Sequence, residues 1–120
     1  MLAYDPNGDF VRGVNVTLAP ANARSQGFVD SEDEPYDYVC RCFAPWVGIS
    51  EDPATGSAQC GLAPFWGKVL KKRKLYAFQS FPKRGAQFRL CLEDDGRLSI
   101  IGQSVTVVKG QIHLNEALFY

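Results

Sequence analysis

Only one stretch of this chain carries the apolar spacing of a helix, and the segments around it alternate like strands. From about Ser57 to Leu70, the residues Ala58, Leu62, Phe65, Trp66, Val69 and Leu70 recur at helical intervals. Cys60, Gly61 and Ala63 form a small-residue flank that another backbone can approach, so a sheet can cover this helix on more than one side. Pro64 falls inside the segment and predicts a kink, at a cost of about 3 kcal/mol if nothing compensates. The run "KVLKKRK" then places cations at the end of the helix where its dipole favours them.

The flanking segments read as strands and turns. "YDPNGDF" is a turn, after which Val14, Val16 and Leu18 alternate with Asn15 and Thr17 as a half-buried strand. "PANARSQGFVDSEDEP" reads as a polar loop with a solvated acidic cluster. "YDYVCRCF" is a strand that puts Tyr36, Tyr38, Cys40 and Cys42 on one face. Beyond residue 74, "LYAFQS", "QFRLCLE", "RLSII" and "SVTVVKGQIHL" form an antiparallel meander, with Phe88, Leu90 and Leu92 facing one way. The tail "NEALFY" is expected to add a terminal helical turn. Strands with one helix make the fold class α+β.

At 120 residues the chain is expected to be a single domain, 1–120, large enough to bury a core. Thirteen basic and thirteen acidic residues cancel, so no global field draws nucleic acid or an anionic membrane. No apolar run approaches the roughly 18–20 residues that span a bilayer. The N-terminus shows no secretory pattern, which makes cytoplasmic the expected location, with thiols kept reduced. Cys40, Cys42, Cys60 and Cys91 contain no C-x2-C pair, and His113 is the sole histidine. The cysteines are expected to serve as small buried hydrophobes, and their spacing supports no metal site.

The chemistry concentrates in "GISEDPATGSAQCGLAPFW", residues 48–66. A helix beginning at Thr-Gly-Ser has N–H groups without intrahelical partners and a partly positive end. Thr55 or Ser57 can cap it, and Gly56 lets a ligand approach the backbone, so the helix start suits a carboxylate or a phosphate. A purely structural cap explains the same local pattern. Pro53 pushes Asp52 into extended backbone, setting its carboxylate beside the helix start, where it suits anchoring or accepting a proton. Glu51 is expected to point elsewhere.

The stretch "FAPWVGISEDPATGSA", residues 43–58, resembles the signature of the PhzF family of phenazine-biosynthesis-like proteins. Weaker likeness in "DPNGDFVRGVNVTL" and in the closing meander extends the resemblance over most of the chain, as the second half of a two-domain family protein. The resemblance implies a diaminopimelate-epimerase-like domain, a curved, mostly antiparallel sheet wrapped around one central helix at about 57–70. It also implies cofactor-independent isomerase chemistry, in which a proton is shifted beside the carboxylate of a small anionic substrate. On matching positions Asp52 and Ser57 become the catalytic residues, and Thr55, Gly56 and Ser57 the substrate cradle. Related two-thiol racemases carry a cysteine ahead of Thr-Gly; Pro53-Ala54 stands there instead. Gln59 occupies a place where the family commonly has histidine. The partner glutamate and a further histidine belong to the family's first domain, expected to be absent from this chain. Half of an acid–base pair does not complete a proton shuttle.

Three readings follow. The chain is half of an isomerase completed by a first domain in trans or within a homodimer, a non-catalytic interaction module, or a marginally stable fragment.

Overall fold

The computed structural model describes residues 4–113, so the expected helical turn at 115–120 lies outside the described residues. The elements run β1 (Val14–Leu18), α1 (Pro20–Ser25), β2 (Tyr38–Ala44), a 3-10 turn (Pro45–Val47), β3 (Ile49–Asp52), α2 (Gly56–Leu70), β4 (Lys74–Phe81), β5 (Arg84–Leu92) and β6 (Leu98–Ile101). Strands order as β1-β2-β4-β5-β6, with β3 paired to β2 off that path. Every pairing is antiparallel except β2 with β4. Parallel neighbours need a crossover, and β3 with α2 supplies it, which brings the start of α2 back against the sheet. The class is therefore α+β.

Alternation along the strands divides the apolar residues between two faces. Tyr38, Cys40 and Cys42 of β2, Leu75 and Ala77 of β4, and Phe88 and Leu90 of β5 pack against Ala63 and Trp66 of α2. Tyr36, Val39 and Tyr76 cluster with Ala23 of α1 on a second patch. The sequence placed Tyr36 with Tyr38; the structure separates them. Asp37 forms the break between them, its N–H donating to the Tyr76 carbonyl (2.7 Å) while its carboxylate accepts from the Tyr76 N–H (2.9 Å). Residues 20–25, expected as loop, are helical, with Pro20 at the first turn and Ala23 fully buried.

Helix α2 matches the expected span within a residue, but its buried face is rotated. The buried positions are Gln59, Ala63, Trp66 and Gly67, whereas Phe65 and Val69 are exposed. The helix runs through Pro64. The carbonyl that Pro64 leaves without a donor belongs to Cys60, an exposed residue where water can replace the lost bond. Of the cationic run only Lys68 lies in the last helical turn. Lys71 ends the helix in a left-handed conformation, and Lys72 and Arg73 reach Asp37 and Asp94.

The last expected strand does not form. Residues 102–113 are irregular and exposed, and Val105, Val107, Val108 and Ile112 are each 84–88% exposed. β-branched composition favours a strand only where a neighbouring edge supplies hydrogen bonds, and among the described residues this segment has none.

Candidate functional site

Residues 52–58 lie where β3 ends and α2 begins. β3 is held to β2 with Cys42 opposite Asp52, and α2 starts after Thr55. Asp52, Thr55, Ser57 and Ala58 are among the residues lining a cavity of about 490 Å³, together with Cys42, Asn15 and Arg12. Asp52, Thr55 and Gly56 are half-buried and Ser57 is exposed. The four expected site residues are thus brought together at one helix end, as the spacing predicts.

The capping differs from expectation. Thr55 occupies the N-cap position, yet no side chain caps the helix. Its hydroxyl donates instead to the Asp52 carboxylate. Among the described residues, the first N–H groups of α2 have neither intrahelical nor side-chain acceptors. With the dipole directed along them, they leave the cavity receptive to an anion. Glu51 is engaged elsewhere, as expected: Arg41 binds it through two bonds of 2.6 and 2.8 Å and draws its carboxyl below the usual range.

Two buried glutamines support the site, and sequence reasoning missed their part. Gln59, fully buried, accepts from the Tyr38 hydroxyl (2.6 Å) and donates to the Thr55 carbonyl (3.4 Å). Burial pushes the Tyr38 phenol well above its ordinary range, so it remains a neutral donor. Gln79, also fully buried, touches both ends of the 52–55 turn from β4. A glutamine midway through "LYAFQSF", at an inward-facing strand position, was the available signal: an amide buried there needs partners.

The thiols divide. Cys40 and Cys42 are buried in the core, as expected, although Cys42 also borders the cavity; Cys60 is exposed and Cys91 half-buried. Hydrogen bonding with Cys42, together with burial, holds the Cys40 thiol protonated. Among the described residues no group of three metal-binding side chains gathers.

A cavity of about 540 Å³ lies elsewhere, lined by Tyr36, Tyr76 and Arg89 among others. Several of its charged groups are already paired internally. Arg89 pairs with Glu34 and stacks 3.5 Å from the Tyr76 ring centre, and Lys72 pairs with Asp37 at 2.5 Å. The cavity at the start of α2 instead borders a helix terminus that carries no side-chain cap.

Comparison with known proteins gives concordant results. The sequence profile of phenazine biosynthesis-like proteins (PhzC-PhzF) matches residues 16–110. Phenazine biosynthesis-like domain-containing protein 2 of Mus musculus is 46% identical over 102 residues, which is 85% of this chain and 33% of that protein. An uncharacterized isomerase of Halalkalibacterium halodurans is 43% identical over 84 residues, 70% of this chain and 31% of its own length. A crystal structure of a PhzC/PhzF phenazine biosynthesis protein from Clostridium difficile superposes with a TM-score of 0.64 at 31% identity, covering 87% of this chain and 34% of that one. The chain thus spans about a third of the length of the relatives it matches.

Proposed function

The chain belongs to the phenazine biosynthesis-like (PhzC-PhzF) family, and from that membership we infer that it carries one half of an isomerase site that moves a proton on a small carboxylate. The observation that carries this reading is the uncapped start of α2 beside the Asp52 carboxylate, both on one cavity. The amides of Gly56, Ser57 and Ala58, with the Ser57 hydroxyl, hold the substrate carboxylate. Asp52 is the group beside it that anchors substrate or accepts a proton. The domain is the second half of a diaminopimelate-epimerase-like pair, in which the opposing glutamate comes from the first domain, in trans or through a homodimer. The full wrapping of a sheet around α2 belongs to that completed state. The isolated chain then binds but turns over little.

Amide shifts at residues 56–58, followed by NMR as benzoate is added to the intact chain, test the binding half. Deuterium uptake from D2O into a small unsaturated carboxylate, measured with a first domain present, falls about 10²–10⁴-fold in Asp52→Asn. Unchanged uptake in both Asp52→Asn and Ser57→Ala would falsify the assignment.

A second reading, an interaction module, is favoured by the exposed apolar residues of 102–113. Here the segment adds as a strand to another chain's sheet edge. Sedimentation of the native chain and of Val105→Lys/Val107→Lys discriminates: the reading requires an assembly that the double variant abolishes, and a native chain monomeric at all concentrations rejects it.

A further inference from the structure

Gln79 uses its whole side chain on the turn that presents Asp52. Its Nε2 donates to the Asp52 carbonyl (2.6 Å) and to Thr55 Oγ1 (2.9 Å), while its Oε1 accepts from the Thr55 N–H (2.7 Å). The amide orientation is fixed by chemistry, because a carbonyl must face the NH2 group and a backbone N–H must face the oxygen. Thr55 Oγ1, already accepting from Gln79, turns its one proton to Asp52 Oδ2. Among the described residues Asp52 Oδ1 accepts no hydrogen bond.

This arrangement is directional. The strand position sets Gln79, Gln79 sets Thr55, and Thr55 sets one oxygen of the carboxylate of a residue that lines the cavity, leaving the other oxygen uncommitted. A fully buried amide is costly unless each polar atom is paired, and here each is. The neighbouring inward positions of β4, Leu75 and Ala77, are apolar, so core packing alone gives no reason for an amide at residue 79. We propose that Gln79 is the positioning residue of this site, holding the 52–55 turn and the Thr55 hydroxyl so that Asp52 meets its ligand through a single oxygen. The ligand part of this statement rests on the carboxylate-site reading above; the positioning part does not.

Gln79→Met keeps length and volume, introduces no charge, and removes all three bonds. In the native intact chain, three-bond couplings to Thr55 Cγ2 report one side-chain rotamer. In Gln79→Met they move to averaged values, and Thr55 amide exchange accelerates about tenfold, as expected for losing one bond worth about 1.4 kcal/mol, while Ala77 and Leu90 amides keep their rates. Benzoate affinity, read at the Ser57 amide, falls several-fold in the same variant, and Gln79→Glu, which keeps only the acceptor, does not restore it. If Thr55 stays in one rotamer with unchanged exchange in Gln79→Met, the proposal is overturned. If Thr55 loosens while benzoate affinity holds, Gln79 is only structural and the proposal is likewise overturned. A native chain that binds no benzoate sinks the carboxylate-site reading, and the Thr55 couplings still decide the positioning. Should Gln79→Met fail to fold, Thr55→Val serves: the Gln79 side-chain amide protons must shift and exchange faster, and unchanged signals reject the relay.

Discussion

Gly67 shows how far one residue's role depends on what lies across from it. In an ordinary helix interior, glycine costs about 1 kcal/mol relative to alanine, so replacement should stabilise. Here a Cβ on Gly67 would stand 2.5 Å from Leu92 Cδ1 and 2.9 Å from the Lys72 carbonyl oxygen. The leucine end can rotate away, but the carbonyl belongs to a helix terminus fixed by the Lys72 N–H donating to the Gly67 carbonyl (3.0 Å). Overpacking therefore wins over propensity. Gly67→Ala is expected to destabilise by about 1–3 kcal/mol, visible as a lower urea midpoint with unchanged slope. An unchanged or higher midpoint would show that the α2–β4 connection yields more readily than its hydrogen bonding indicates.

At the level of elements, what the sequence revealed depended on whether the deciding interaction was local. β1, β5 and β6 follow from alternation and turn residues, and α2 from its period, because each pattern reports its own backbone geometry. The placement of Asp52, Thr55, Gly56 and Ser57 around one helix start was legible for the same reason, being contiguous in sequence. The rotation of α2 was not, since choosing between the Phe65–Val69 side and the Gln59–Ala63–Trp66 side requires knowing which face the sheet covers. Helix α1 hid in a polar stretch because its one fully buried residue, Ala23, carries no apolar stripe. The partners of Gln79 were invisible because they lie 24 and 27 positions away. The failed strand at 104–113 is the opposite case, a local preference without an edge to satisfy it.

For the molecule as a whole, four carboxylates are held by specific partners in the fold: Asp5 within its own loop, Asp30 and Glu34 between a loop and the sheet, and Glu51 across two strands, and together they set the response to acid. Asp5 accepts from the amides of Val11, Phe10 and Asp9, which hold its carboxyl below the ordinary 3.8. Glu34 is held below 4.5 by Arg89, and Glu51 below 4.5 by Arg41. Asp30 would be raised by its burial, but the Glu34 and Glu32 amides and the Tyr76 hydroxyl outweigh that and lower it. All four shift downward on folding. Depressed carboxyls contribute stability that is complete above their unfolded values and lost as pH falls through the folded ones. The melting temperature is therefore expected to stay level from pH 7 to about 5 and then to drop progressively below about pH 4.5. Salt separates the contributions. The guanidinium pairs are half-exposed and screened, so 0.5 M NaCl flattens their part of the slope. The backbone amides around Asp5 are neutral, and their part survives. Asp5→Asn, with one carboxylate oxygen replaced by an amide, should keep the acid slope of Glu34 and Glu51 but shrink the salt-resistant part to what Asp30 supplies. Calorimetry of both chains between pH 3 and 7, at low and high salt, reads this directly. A native melting temperature that held or rose on acidification would mean that these loops are not held by their carboxylates.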